Sequence, residues 1–436
     1  MNNQDLLNRS LAAVWHPCTQ MKHHETMPLI PMQRGDGVWL TDFEGKRYLD
    51  GVSSWWVNLF GHNHPRIKAA IKQQLDTLEH VMLAGFTHAP VVDLSEKLAQ
   101  LTGLGHAFYA SDGASATEIA LKMSFHYWRN MGQPSKNKFL SLQNSYHGET
   151  LGALGVTDVA IFKDTYAPLL TQSAQMPSPD FRLAEVGESA DAFALRCAQR
   201  LEDYVAEHHA ELAAFIIEPL VQCAAGMGMY AAVYLQRARE ICDRYQVHLI
   251  ADEIAVGFGR TGRMFAFEQA NIQPDFICLS KGITGGYLPL STVLTTDRVY
   301  AAFYDDVTAK GFLHSHSYTG NPLACSAALA TLAIFDSDDV IGQNQAKTAL
   351  MNHKMQVLAD LPIQHLRNQG MIWAFDVKTE QRGFASAFYQ QALQQGLLLR
   401  PIANTVYFMP PYVITPEQIQ HLAQVAQEGI DLATTD

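Results

Sequence analysis

The stretch VHLIADE, residues 247–253, is a short block of β-branched and other apolar residues that ends on two carboxylates. Its length and composition read as a strand buried on both faces. Two further blocks share the form: AAFIIEP (213–219) and DFICLSK (275–281). Each closes on a charged residue, so the three strands present Glu218, Asp252 and Lys281 at their carboxyl ends. Between the first two, AAVYLQRAREICDRYQ (231–246) reads as a crossover helix. From about residue 66 onward helical periods and apolar runs alternate, which predicts an α/β fold with a mostly parallel sheet covered by helices. In such sheets ligands bind outside the carboxyl ends of the strands, so the three charged residues are expected to face one crevice.

Outward from that core the texture changes. Near the N-terminus GVWLTDFEGKRYLDG (37–51) alternates around Glu44-Gly45, the pattern of a β-hairpin. After about residue 335 come GMIWAFDV, the helical GFASAFYQQALQQG, the strand-like LLLRPIANTVYFMPPY and a final helix beginning at TPEQIQHLAQVA. These predict a smaller α+β domain at 336–436, joined by an N-terminal segment 1–65, beside a large domain at 66–335. The 436 residues suffice for both.

Composition narrows the function classes. Lys and Arg total 31 against 43 Asp and Glu, a formal charge of -12, and no basic block stands out, which argues against nucleic acid and anionic membranes as partners. The start MNNQDLLNRS lacks the basic and apolar regions of a secretory signal, and no apolar run reaches the roughly 18 residues of a membrane span. Six cysteines are scattered without C-x-x-C spacing, the usage of reduced thiols in a cytoplasmic protein.

Four local features carry chemistry. In SDGASATEIALKMSFHYW (111–128), Ile119, Met123 and Tyr127 form one stripe of a helix beginning near Ser115. The Gly113-Ala114-Ser115 turn that opens it offers backbone N–H groups, a hydroxyl and the positive helix end to a phosphate; the alternative is an ordinary N-cap. In NSYHGET (144–150), Tyr146 is placed to stack on a planar ring or to serve the core. In IADEIAVGFGRTG (250–262) a strand-end aspartate needs a partner, either Arg260 in a structural salt bridge or a protonated heterocyclic nitrogen. In ICLSKGITGG (277–286), Lys281 stands between an apolar strand and a glycine-rich turn, where desolvation lowers a lysine pKa and suits it to condense with a carbonyl. A phosphate cradle, a stacking aromatic, a strand-end aspartate and a strand-end lysine together match the needs of pyridoxal 5′-phosphate.

Two other readings are weaker. GHNHP (61–65) and HSHS (314–317) are histidine pairs, yet no H-E-x-x-H helix or cysteine set accompanies them, so no metal is expected. GFGRTG fits a dinucleotide fingerprint only when read loosely from Gly257, and no clear helix follows.

The segments IIEP, ADEIAVGFGRTGRMFAFE, LSKGITGGYLPL and TGNPLAC resemble the class III pyridoxal-phosphate-dependent aminotransferases of fold type I. WHPCTQM (15–21), DGVSSWWVNLFGHNHP (50–65) and LLLRPIANTVYFMPPY (397–412) resemble the biotin-pathway branch of that family. This branch aminates 8-amino-7-oxononanoate, usually with S-adenosylmethionine as donor. The resemblance implies a homodimer in which Lys281 carries the cofactor aldehyde and shuttles protons, Asp252 holds the pyridine nitrogen and Tyr146 flanks the ring. It implies phosphate contacts from Gly113, Ala114 and Ser115, with His316 and Ser317 reaching across from the neighbouring subunit. Ser315, Trp55, Cys18 and Arg400 would meet the substrate, Arg400 through its distal carboxylate. Four positions depart from the family pattern. Cys18 stands for the usual tyrosine, Gly113-Ala114 for Gly-Ser, Ser315-His316-Ser317 for Gly-Pro-Thr, and Glu149 for aspartate. HSHSYTGN is closer to the partner loop of a lysine-using branch.

Overall fold

The computed structural model describes residues 2–27 and 29–434. It divides into two compact units. The smaller comprises the chain up to Pro65, Lys347–Leu366 and the chain from Trp373 onward; the larger comprises Arg66–Ala346 and Arg367–Ile372.

In the smaller unit β1 (Met32–Asp36), β2 (Trp39–Asp42) and β3 (Arg47–Asp50) form an antiparallel meander. The β2–β3 turn is built by Asp42, whose Oδ1 accepts from the N–H groups of Glu44 (3.0 Å) and Lys46 (2.9 Å). Gly45 completes it at φ 87°, a conformation costly for residues with a Cβ.

The larger unit is built on a seven-stranded sheet. Its strands are β4 (His106–Ala110), β5 (Lys138–Leu142), β6 (Ala174–Met176), β7 (Leu212–Ile217), β10 (His248–Asp252), β11 (Phe276–Leu279) and β12 (Ser291–Thr295). A separate two-stranded ribbon joins β8 (Val221–Gln222) to β9 (Gly228–Met229). The order across the sheet is β4-β12-β11-β10-β7-β5-β6, with β12 alone antiparallel to its neighbours. The three strands expected from their apolar blocks are therefore adjacent and parallel at the centre. Every residue of β7, β10 and β11 is buried, because helices cover the sheet. Gly113–Asn130 packs on β7, β11 and β12, and its stripe of Ile119, Met123 and Tyr127 joins Ile216, Ile250 and Phe276 in one core. Val233–Tyr245 packs on β10 and on the helix Ala190–His208.

The chain then supplies β13 (Ile363–Gln369), β14 (Ile372–Val377), β15 (Leu397–Leu398) and β16 (Thr405–Phe408). β13, β14 and β16 form a three-stranded sheet, while β15 extends the N-terminal meander by pairing parallel to β3. Helices Phe384–Gln394 and Pro416–Thr434 pack on each other in the smaller unit. Among the described residues no helix is long and apolar enough to cross a membrane.

Candidate active site

The carboxyl ends of β7, β10 and β11 bring Glu218, Asp252 and Lys281 together in the larger unit. Glu218 and Asp252 are buried at 5% and 4% exposure. Asp252 is organised on both oxygens: Oδ1 accepts from the Ile254 N–H at 3.1 Å, and Oδ2 faces His147 Nδ1 at 2.7 Å. A carboxylate only accepts, so Nδ1 carries the proton of that bond. The partner of Asp252 is thus His147, and the structural salt bridge to Arg260 is replaced by a buried imidazole–carboxylate pair.

His147 is held from its backbone, donating its N–H to Thr157 Oγ1 at 3.0 Å and accepting from Thr117 Oγ1 at 2.8 Å. Its Nε2 is buried without a hydrogen-bond partner among the described residues. Sequence reading named the tyrosine of this loop but gave the adjacent histidine no role. Tyr146 donates its N–H to Glu218 Oε2 at 2.9 Å and its hydroxyl to Glu149 Oε1 at 2.9 Å. Gly148 closes the loop at φ 123°, where a Cβ would lie 2.6 Å from that of Ala114, so the 144–150 loop seats directly on the start of the long helix.

At that helix start Asp112 is the N-cap. Its Oδ1 accepts from the Ser115 N–H (2.9 Å) and its Oδ2 from the Ser115 hydroxyl (3.0 Å). Ser115 is therefore engaged locally, and the N–H groups of Gly113 and Ala114, ahead of the intrahelical ladder, are the ones oriented to meet an anion.

Lys281 adopts φ 44°, a left-handed conformation that costs a residue with a side chain about 1–3 kcal/mol and is found at sites where geometry outweighs strain. Burial lowers its amine pKa from the ordinary lysine range, against the opposing pull of Asp252 and Glu218. Burial also raises Glu218 to about 7, with Asp252 adding to it and His147 and the N–H groups of Tyr146 and Cys223 opposing.

Next to Asp252, Glu253 is fully buried and accepts from the N–H groups of Ala266 (3.0 Å) and Phe267 (2.8 Å), pinning the glycine-rich loop. Burial raises its pKa to about 8. A carboxyl whose folded pKa is raised binds more protons folded than unfolded, so its contribution is full below about pH 4 and is lost as pH climbs through the folded value. Glu253→Gln is accordingly expected to flatten the decline of the melting temperature between about pH 5 and pH 9. An unchanged slope would remove Glu253 as its source.

The loop carrying HSHS belongs to the same unit. Lys122 Nζ lies 2.8 Å from His314 Nδ1, and His314 Nε2 lies 2.9 Å from His316 Nε2. Ser315 and Ser317 are exposed. Among the described residues no group of three or more His, Cys, Asp or Glu is arranged to hold a metal.

The smaller unit gathers Cys18, Trp55 and Arg400 by itself. The Arg400 guanidinium stands 4.5 Å over the Trp55 ring and donates through Nη2 to the Cys18 carbonyl at 3.1 Å. Trp55 and Arg400 border a cleft of about 560 Å³ whose walls include Val52, Met27, Leu399 and Tyr389, while Cys18 is not among its lining residues. That is the size and mixed character of a small-molecule site. Trp55 reaches the cleft through an unusual backbone: Ser53 (φ 52°), Ser54 (47°), Trp55 (72°) and Trp56 (72°) are all left-handed. Each costs about 1–2 kcal/mol in an L-residue, so the turn persists only if its surroundings hold it.

The residues present suit pyridoxal 5′-phosphate. An aldehyde needs an amine whose proton is easily lost, a pyridinium needs a buried carboxylate, and a phosphate needs N–H groups at a helix start. Lys281, Asp252 and Gly113-Ala114 supply these.

Known proteins agree with this chemistry. The chain is 48% identical over 441 residues, 99% of each chain, to a Helicobacter pylori protein named adenosylmethionine-8-amino-7-oxononanoate aminotransferase. The crystal structure of the protein of that name from Methanocaldococcus jannaschii superposes with a TM-score of 0.93 at 34% identity, covering 100% of both chains. An amine transaminase from an uncultivated Pseudomonas species, solved in its PLP-bound form, superposes with a TM-score of 0.91 at 31% identity, covering 97% of this chain and 99% of its own. The family described as aminotransferase class-III matches residues 20–429, and with that span and these likenesses the chain belongs to the class-III aminotransferases.

Proposed function

We propose that this enzyme transfers an amino group to the 7-oxo carbon of 8-amino-7-oxononanoate in biotin biosynthesis, with pyridoxal 5′-phosphate as cofactor and S-adenosylmethionine as amino donor. The observation that carries the reading is Lys281, whose amine pKa is lowered by burial, two residues past the central strand β11 and with Asp252 and Glu218 near enough to act on it. The substrate follows the names of the relatives that match this chain end to end. Cytoplasmic location and a homodimer complete the proposal, with residues 66–335 as the cofactor-binding domain.

Pyridoxal 5′-phosphate, when bound, supplies an aldehyde that condenses with amines and a cationic ring that takes up the electron pair left when a proton departs the donor's α-carbon. Lys281 Nζ would hold the aldehyde between turnovers and serve as the base for that proton, and burial, which lowers its pKa from the ordinary lysine range, favours the free amine. Asp252 keeps the ring nitrogen protonated. The His147 Nδ1–H bond at 2.7 Å fixes the position of the Asp252 carboxylate. Gly113 and Ala114 hold the phosphate through their N–H groups, Ser115 supports them through Asp112, and Tyr146 flanks the ring. His316 and Ser317 of the dimer's second copy complete the phosphate site, with Ser315 near the substrate.

In the smaller unit Arg400 receives the distal carboxylate, Trp55 covers the methylene chain, and Cys18 leaves room where a tyrosine would stand. Arg400→Ala is expected to raise the KM for the oxo acid by about 100-fold, the worth of a charge-assisted pair of hydrogen bonds, with the donor's KM nearly unchanged. Equal effects on both would remove this role.

A second reading, lysine as donor, is favoured by one feature, the HSHSYTGN loop. Mixing the cofactor-loaded enzyme with S-adenosylmethionine or with lysine, and following the absorbance change to the pyridoxamine form, separates the two. Conversion by lysine alone would move the enzyme to the lysine-using branch; conversion by neither would overturn the donor assignment.

A further inference from the structure

The left-handed turn that delivers Trp55 is organised from its start by Asp50, a residue to which sequence reading gave no role. Asp50, the last residue of β3, is fully buried. Its Oδ1 accepts from the Ser54 N–H at 2.9 Å and from the Val52 N–H at 3.4 Å. Its Oδ2 accepts from the Ser54 hydroxyl at 2.7 Å and faces His62 Nε2 at 3.1 Å. The tautomer of His62 follows from its neighbours: Nε2 donates to the carboxylate, and Nδ1 accepts from Asn58 Nδ2 at 3.3 Å. The far side of the turn is tied as well, by the Ser53 hydroxyl to the Met409 carbonyl (2.7 Å) and by Trp56 Nε1 to the Tyr407 hydroxyl (3.1 Å).

The turn closes its own backbone bonds, from the Trp56 N–H to the Val52 carbonyl (2.8 Å) and from the Val57 N–H to the Ser53 carbonyl (3.0 Å), yet four successive L-residues at positive φ run against intrinsic preference, so the side-chain anchors help to hold it. Of the two exposed residues of the turn, Ser54 and Trp55, Trp55 is 41% exposed and lies under Arg400. The anchor therefore stands directly behind the contact that shapes one end of the cleft.

We infer that Asp50, clamped by His62, is a positioning residue for acid recognition: it holds the Ser53–Trp56 turn so that the Trp55 indole backs the Arg400 guanidinium and sets the site for a medium-chain monocarboxylate. The identity of that acid as 8-amino-7-oxononanoate rests on the function proposed above. The Asp50 device itself requires only that the ligand be a monocarboxylate with an apolar chain.

Asp50→Asn is the informative change, because it keeps size while replacing Oδ2 by a donor that opposes the His62 Nε2–H. The milder Ser54→Ala removes only the hydroxyl bond and serves if the first variant folds poorly. Both are compared with wild-type holoenzyme in three readouts: calorimetric binding of nonanoate, KM and kcat for the oxo acid, and the single-turnover rate with the amino donor alone. Asp50→Asn is expected to weaken nonanoate about tenfold and to raise the oxo-acid KM by a similar factor, with the donor step within about twofold of wild type. Ser54→Ala should follow in the same direction by about threefold. Unchanged nonanoate binding, or equal losses in the donor step, would overturn the inference. Weakened nonanoate binding in an enzyme that never aminates the oxo acid would leave the device standing and overturn the substrate instead.

Discussion

Replacing Lys281 by alanine is expected to reduce transamination by at least about 10,000-fold, because in the proposed mechanism one side chain serves both as the covalent carrier of the aldehyde and as the acid and base at the donor's α-carbon. The loss should not come from misfolding. The variant removes an amine that pays a desolvation penalty in the folded state, and it leaves Glu218, Asp252, Gly113 and Ala114 in place. The protein should therefore still take up pyridoxal 5′-phosphate when soaked, with its absorbance altered by loss of the covalent link. Turnover and the visible spectrum measured on the same sample decide the matter: turnover within about tenfold of wild type would end the assignment of Lys281.

Asp252→Ala has the next largest expected effect, a fall in kcat of about 100- to 1,000-fold, the size seen when one preorganised electrostatic contact to the reacting system is removed. In the proposed mechanism the change deprives the ring nitrogen of its counter-charge, and it leaves the buried His147 Nδ1–H without its Asp252 acceptor. Cofactor retention on dialysis should weaken in parallel. The discriminating measurement is the donor half-reaction under single-turnover conditions. If that rate is unchanged while steady-state turnover falls, Asp252 acts on cofactor retention alone and its electronic role is lost.

The two effects have a common origin in the sheet. Parallel strands ending together place Asp252, the last residue of β10, near Glu218 and Lys281, which follow β7 and β11 within two residues, and helices cover the sheet that carries them. Desolvation then does different work on each group. It lowers the Lys281 amine, raises Glu218, and is tolerable at Asp252 because His147 and the Ile254 N–H occupy its oxygens.

Much of this was legible in the chain. Apolar blocks of strand length and the Ile119, Met123, Tyr127 stripe report short-range periodicity, a property of neighbouring residues, so the central strands and the long helix could be read directly. Lys281, Asp252 and Tyr146 stood out because charged or aromatic residues at strand ends and in glycine-rich loops are conspicuous locally. The resemblance supplied Trp55, Cys18 and Arg400.

Other features lay outside the reach of local pattern. The pairing of Asp252 with His147 spans 105 positions, and no periodicity encodes which of the available cations or imidazoles a buried carboxylate will meet. That Ser115 spends its hydroxyl and N–H on Asp112 is a matter of side-chain rotamer at a helix cap. The left-handed Ser53–Trp56 turn contradicts the intrinsic preference of every residue in it and exists because Asp50, Met409 and Tyr407 hold it. The sequence alone thus determined the α/β architecture and singled out the candidate reactive groups, since both follow from residue type and short-range order. Only the tertiary structure decided their partners, their protonation and the strained turn, since these depend on burial and on atoms brought together from distant parts of the chain.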